Sequence, residues 1–125
     1  MKNFAYLFLS IILLSCSSTA QKCADFKTGE FRYEDKAIPY RIIRTASQQT
    51  ETNLKTGLEI RSTIEWKSAC EYVLTYTAVL NSEQDVESII GSKIFVKIIE
   101  TDGNRMVVHT KSEVLDEEIA FLKVN

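Results

Sequence analysis

The chain has 125 residues, with 15 basic and 17 acidic side chains and a formal net charge of −2 at pH 7. This length allows one small domain, and the slightly acidic balance excludes the basic surface that nucleic-acid binding requires. Four glycines and one proline leave no room for a flexible linker, so we expect a single folded unit and no nucleic-acid partner.

The N-terminal segment has the layout of a secretory signal. Lys2 precedes an apolar run that ends at Leu14 and is followed by Ser15 and Cys16. At about 11 residues the run is too short to span a bilayer as a permanent helix. We therefore expect residues 1–20 to be a signal peptide and the protein to be exported.

Two processing sites compete at the end of this segment. Leu13-Leu14-Ser15-Cys16 resembles the bacterial lipobox, and cleavage before Cys16 would leave an acylated cysteine that anchors the protein to the membrane of the cell envelope. Ser18-Thr19-Ala20 fits the small-x-small rule for cleavage after Ala20, which would release a soluble periplasmic or secreted protein. We favour lipidation at Cys16, because a cysteine at the end of an apolar run is otherwise an unusual choice.

Either cleavage leaves Cys23 and Cys70 as the two side-chain thiols of the folded domain. An even pair of cysteines in an exported chain predicts a disulfide bond. Closing a loop of about 47 residues is worth roughly 4 kcal/mol, which matters for a domain of about 105 residues. With His109 as the single histidine and no CxxC motif, we expect no metal site and no cofactor.

We expect residues 21–125 to form a single antiparallel β domain. Past Asp25 short runs rich in β-branched and aromatic residues alternate with a period close to 2, which predicts β-strands. The clearest alternation places Ile60, Ile64 and Trp66 on one face of residues 58–66, opposite Arg61. Trp66 should then contact inward residues of the next strand, such as Tyr72 or Leu74. The predicted strands are residues 29–33, 40–44, 48–52, 58–66, 70–79, 93–100, 105–110 and 118–124, with a hairpin turn at Asp102-Gly103.

One segment breaks this pattern and predicts a short helix over residues 82–90. Ser82 and Asp85 resemble a capping box, Ile89 and Ile90 share a helical face with Val86, and Gly91 ends the helix.

Mainly β structure therefore dominates the prediction. We expect an antiparallel meander that curls into a small lipocalin-like barrel or half-barrel with one short helix, because closure removes exposed strand edges. A two-sheet β-sandwich is the alternative.

The chain also resembles a group of small exported, lipoprotein-like β proteins of Bacteroidota. The residues that carry the resemblance are Asp25-Phe26-Lys27-Thr28-Gly29, Phe31, Ile43-Arg44, Gln49, Glu51, Gly57, the alternating run Ile64, Trp66, Ser68, Cys70, Tyr72, Leu74 and Tyr76, then Ile90-Gly91 and Val96-Lys97-Ile98. The name DNA topoisomerase IV is sometimes attached to this group. An exported acidic domain of about 105 residues contradicts that name, because it is too small for a strand-passing enzyme.

Five polar residues are the candidate ligand-binding set, because a closed sheet would bring some of them into its mouth. They are Arg41, Arg44, Gln49, Glu51 and Arg61. Tyrosines at strand spacing and Trp66 could line the same pocket, although aromatic residues in this pattern are more often part of the core. His109 forms no catalytic constellation, because no cysteine or serine motif offers it a partner. The acidic run 116–118 could bind a cation, but its spacing does not match a calcium-binding loop, and we expect it to be a solvated turn.

These patterns favour a non-catalytic cell-envelope protein, a lipid-anchored binding module for a small apolar or amphiphilic molecule. The alternative is an envelope structural or protein-interaction factor that acts through a sheet face or edge.

Overall fold

The structure, a computed structural model, describes residues 19–125. The predicted apolar run of the signal peptide and the predicted lipidation site Cys16 lie outside the described residues.

Eight antiparallel strands form a closed barrel, in which every strand pairs with its neighbours in the sequence and the last strand pairs with the first. The strands are β1 (Gly29–Tyr33), β2 (Tyr40–Arg44), β3 (Gln48–Asn53), β4 (Glu59–Ser68), β5 (Glu71–Leu80), β6 (Lys93–Asp102), β7 (Arg105–Lys111) and β8 (Asp116–Lys123). The seam between β1 and β8 pairs Phe31 with Lys123 and Tyr33 with Phe121. The predicted antiparallel barrel is confirmed, and the sheet does not split into a sandwich.

Alternation along the strands explains where the core lies. In β6 the side chains of Ile94, Val96 and Ile98 are buried, while Phe95 and Lys97 between them are exposed. Such a period of 2 places every second side chain inside the barrel. Trp66 lies opposite Tyr72 in the β4–β5 pair, and their ring centroids are 4.7 Å apart, which confirms the predicted contact.

A short helix, α1 (Thr19–Ala24), lies before the first strand and is tied to the turn between β4 and β5. Cys23 and Cys70 form the predicted disulfide bond, with their Cα atoms 5.4 Å apart. Cys23 and Phe26 are both buried in the core, so this segment closes one end of the barrel. Within residues 19–125 no helix has the length and apolarity needed to cross a membrane.

The α-helix predicted over residues 82–90 is wrong, because this segment forms only a 3-10 turn at Glu87–Ile89. The side chains of Ser82 and Asp85 accept hydrogen bonds from the backbone N–H groups two residues later, at Gln84 and Glu87. Those bonds stabilise tight turns in place of a helix. Ile89 remains exposed as well, so no buried face supports a longer helix.

Candidate functional site

The meander places alternate turns at opposite ends of the barrel. The end that contains α1 is filled by Cys23 and Phe26, while the opposite end carries the connections at 34–39, 54–58, 81–92 and 112–115. A cavity of about 130 Å³ lies inside the barrel and reaches Leu115 and the exposed Glu117 at this second end. Its apolar wall consists of Leu74, Ile94, Val96, Val108, Ile119 and Phe121.

Arg44 occupies the floor between this cavity and the closed end. Only 4% of its surface is exposed, and its guanidinium donates to Gln49 Oε1 through Nε at 3.0 Å and through Nη2 at 2.7 Å. The same group donates to the carbonyl of Phe26 at 2.8 Å and to the hydroxyl of Tyr72 at 2.9 Å. The guanidinium also lies 5.0 Å from the ring centroid of Phe31 and 4.6 Å from that of Tyr72. These contacts satisfy the N–H donors of the buried guanidinium with fixed, neutral acceptors.

Glu51 lies two residues beyond Gln49 on β3 and therefore points into the same interior. Its carboxylate accepts one hydrogen bond, from Gln49 Nε2 at 3.4 Å. Burial raises the pKa of Glu51 from 4.5 to about 7, because desolvation disfavours the charged form, and the positive charge of Arg44 opposes this shift. An acid with this pKa changes its charge near neutral pH.

Tyr33 and Tyr76 complete the polar part of the cavity. Burial raises the pKa of both hydroxyls, and the negative charge of Glu51 raises it further. The ring of Tyr33 packs against Phe121 at 4.8 Å and against Tyr40 at 6.1 Å between centroids. Neither Tyr33 nor Tyr76 makes a hydrogen bond through its hydroxyl to another residue of the described chain.

The structure divides the five predicted binding residues into two groups. Arg44, Gln49 and Glu51 lie together in the barrel interior. Arg41 and Arg61 lie on the outer face, where they form ion pairs with Glu30 and Glu59 respectively. The two exposed arginines take no part in the cavity, because each lies next to a buried residue, Ile42 or Ser62, that takes the inward position.

Sequence reasoning missed Glu117 as a cavity residue. The acidic run 116–118 to which it belongs is predicted to be a solvated turn, but Glu117 shares the inward face of β8 with Ile119 and Phe121. The alternation of 117, 119 and 121 is the signal that could have identified it.

The remaining acids of that run lie outside the barrel. Asp116 hydrogen-bonds to His109 Nε2, and this contact lowers the pKa of the Asp116 carboxyl. In the part of the chain that the structure describes, no three His, Cys, Asp or Glu side chains are grouped so that they could hold a metal ion.

The cavity is thus an apolar chamber with two carboxylates and two free hydroxyls, suited to binding and orienting a small molecule. Its lining includes tyrosine, threonine, glutamine and glutamate but no lysine, arginine, histidine, cysteine or serine from the described residues. No protein-family model matches the chain, and no curated protein or solved structure is significantly similar to it.

Proposed function

We propose that this protein is a non-catalytic binding module of the cell envelope that holds a small amphiphilic molecule inside its barrel. The observation that carries the proposal is the interior cavity, in which an apolar wall faces Glu51, Tyr33 and Tyr76. Pockets for small ligands have this composition, with mostly apolar walls and a few convergent polar groups.

The size of the cavity limits the ligand. Eight-stranded barrels have an interior that side chains nearly fill or that accommodates one small ligand. An apolar cavity of about 150 Å³ accommodates benzene, and the cavity in this barrel measures about 130 Å³. The ligand that fits is therefore one ring, or a short chain of similar volume.

Export and lipid anchoring belong to the same proposal. The disulfide between Cys23 and Cys70 is typical of an oxidising compartment outside the cytoplasm. The lipobox-like Leu13-Leu14-Ser15-Cys16 supports acylation at Cys16, which would hold the barrel at a membrane surface.

The ligand is best sought by native mass spectrometry of the full chain extracted in mild detergent from the envelope of its own cells. We expect a small molecule to be retained by the wild type and lost from Leu74→Trp, which fills the cavity. Thr75→Trp places the same bulk on the neighbouring strand position, where the side chain points away from the cavity, and should keep the ligand. Thermal melts of both variants check that they fold. Retention that is equal in both variants would exclude the cavity as the binding site.

Anchoring is tested by Cys16→Ser in the cells that make the protein. The wild type should incorporate labelled fatty acid and remain in the membrane fraction, and the variant should lose both properties. A wild-type protein whose mature N-terminus is Gln21 and which partitions into a detergent-free soluble extract would show that the lipid anchor is wrong.

A second candidate function, a protein-interaction factor of the envelope, is supported by the outer face of β6. Phe95 is 56% exposed there and pairs with Lys111 across the β6–β7 ladder. The groove beside it measures about 300 Å³ and includes Lys67, Lys97 and Lys111. Glu71 also lines the groove, and Lys67 and Lys97 form ion pairs with Glu65 and Glu71, so Lys111 and the exposed ring are what an acidic protein surface would contact. Cross-linking in whole cells should then capture a partner that Phe95→Ala with Lys97→Glu loses and that Leu74→Trp keeps.

A further inference from the structure

The cavity also indicates the charge of its ligand. We propose that it takes a small organic cation, a protonated amine on a single-ring hydrocarbon body, with the ammonium group against Glu51, Tyr33 and Tyr76. This inference rests on the proposed binding function and adds the chemical class of the ligand.

The charge of the lining is the first argument. Two carboxylates, Glu51 inside and Glu117 at the mouth, belong to the cavity wall, and no basic side chain of the described residues does. Arg44 lies below the cavity, where its four hydrogen bonds go to neutral acceptors of Gln49, Phe26 and Tyr72. Its charge is therefore retained, and it lowers the pKa of Glu51. The wall itself therefore favours a cation over an anionic ligand such as a carboxylate or phosphate, and the charge of Arg44 below it weakens that preference.

Unused hydrogen-bond capacity is the second argument. Glu51 accepts a single hydrogen bond of 3.4 Å, although an ionised carboxylate has room for several more. The hydroxyls of Tyr33 and Tyr76 have no hydrogen-bond partner in the described residues, and both side chains line the same cavity. An ammonium group carries three N–H donors, which matches one carboxylate and two hydroxyl oxygens.

Aromatic rings are the third argument. Tyr33, Tyr72, Tyr76 and Phe121 all contribute to the wall around the carboxylate. The face of an aromatic ring attracts a desolvated cation, and aromatic rings line the sites that recognise organic ammonium ligands. A neutral apolar body would fill the remaining space against Leu74 and Ile94.

Binding of this cation should depend on pH. The strands β4, β6 and β7 present apolar or hydroxyl side chains to Glu51. The charged and titratable groups that face it are Tyr33 from β1, Tyr40 and Arg44 from β2, Tyr72 and Tyr76 from β5, and Glu117 from β8. Since burial raises the pKa of Glu51 to about 7, its carboxyl is mostly neutral at pH 6 and mostly ionised at pH 8. Cation affinity should therefore be about tenfold weaker at pH 6 than at pH 8.

The experiment compares three probes of one size on the purified, disulfide-bonded protein by titration calorimetry and ligand-observed NMR. The probes are benzylamine, which is a cation at these pH values, neutral benzyl alcohol and anionic benzoate. We expect benzylamine to bind at least tenfold more tightly than benzyl alcohol at pH 8, and benzoate not to bind. Glu51→Gln should remove that preference and the pH dependence. Glu59→Gln, on the outer face, is the matched control and should behave as the wild type.

Each outcome separates the ligand class from the binding function. Equal affinity for benzylamine and benzyl alcohol, or a preference that survives Glu51→Gln, overturns the cationic ligand and leaves the binding module intact. Preference for benzoate also overturns it. If no probe binds, the native mass spectrum decides between the two proposals. A retained molecule that is neutral or anionic refutes the cationic ligand alone, and a protein without any retained molecule refutes both proposals.

Discussion

Replacing Arg44 by methionine tests whether the buried guanidinium holds the closed end of the barrel together. Methionine is similar in length and apolar, so it fills most of the space and removes the donors. The side chain of Arg44 links Phe26, Gln49 and Tyr72, which come from the segment before β1, from β3 and from β5. Arg44→Met therefore deprives three separate parts of the barrel of a common partner.

The expected loss of stability follows from the acceptors left behind. The carbonyl of Phe26, Oε1 of Gln49 and the hydroxyl of Tyr72 would each lose a donor in a region where Arg44 is 4% exposed. A buried polar group without a partner costs about 1–3 kcal/mol, and the apolar contacts of methionine offset part of the total. We expect a net loss of about 3–5 kcal/mol in the free energy of unfolding, a large share of the roughly 5–15 kcal/mol typical of a domain.

Equilibrium urea unfolding at pH 8 measures this loss, with Arg41→Met as the matched control. Arg41 is on the same strand but exposed, and its ion pair with Glu30 should contribute within about 1 kcal/mol. Arg44→Met should also raise the pKa of Glu51 further above about 7, because it removes the charge that lowers it. A destabilisation below about 1 kcal/mol, no greater than that of Arg41→Met, would refute the structural role assigned to Arg44.

Three further predictions concern the stability of the barrel. The folded state keeps the Glu51 proton up to about pH 7, whereas the ordinary pKa is 4.5. This group therefore stabilises the fold fully below pH 4.5, and its contribution to the free energy of unfolding, up to about 3 kcal/mol, is lost as the pH rises from 4.5 to 7. Glu51→Gln should lack this decline in urea titrations from pH 4 to 8, and an identical pH profile would contradict the raised pKa. Cys23→Ser with Cys70→Ser should lower the free energy of unfolding by roughly 4 kcal/mol, and two free thiols in non-reducing peptide mapping of the exported wild type would contradict the bond. Trp66→Ala should lower the free energy of unfolding by about 3–5 kcal/mol, measured by thermal and urea unfolding. Trp66→Phe should cost less than about 1.5 kcal/mol, because the buried Nε1 of Trp66 has no hydrogen-bond partner among the described residues. Equal losses in the two variants would refute this.

The positions of the strands could be predicted because each strand is recognisable from the alternation of its own residues. The alternation around Ile60, Ile64 and Trp66 depends on neighbouring residues alone. The hairpin predicted at Asp102-Gly103 forms one residue later, with Gly103 and Asn104 in the turn between the paired residues Asp102 and Arg105, and Gly103 has a φ of +58°. Closure is different, since the seam joins Phe31 to Lys123 across most of the chain. Periodicity indicates which face of each strand is buried but does not name its partner, so barrel and sandwich both remained compatible with the pattern.

The same limit explains how far the candidate site could be predicted. Arg61 directly follows Ile60, which the alternation places inside, so Arg61 should point outward. The structure confirms this position. Arg41 and Arg44 are an odd number of positions apart, so their side chains point to opposite faces of β2. The consecutive isoleucines Ile42 and Ile43 do not reveal which of the two arginines points inward. Only the closed barrel decides this, because it buries Ile42 and leaves Ile43 partly exposed.

Glu51 differs from Arg44 in what the fold gains from it. Arg44 is matched by four hydrogen bonds and stabilises the closed end, so packing alone explains its presence. Glu51 makes one long hydrogen bond, and its raised pKa shows that the folded state disfavours the charged carboxylate. A glutamine could occupy the same position without that cost above pH 7, and it would keep a hydrogen-bonding side chain in the cavity. The charge of Arg44 already lowers the pKa of Glu51 in part, and the cation proposed above would compensate the carboxylate further and lower its pKa again.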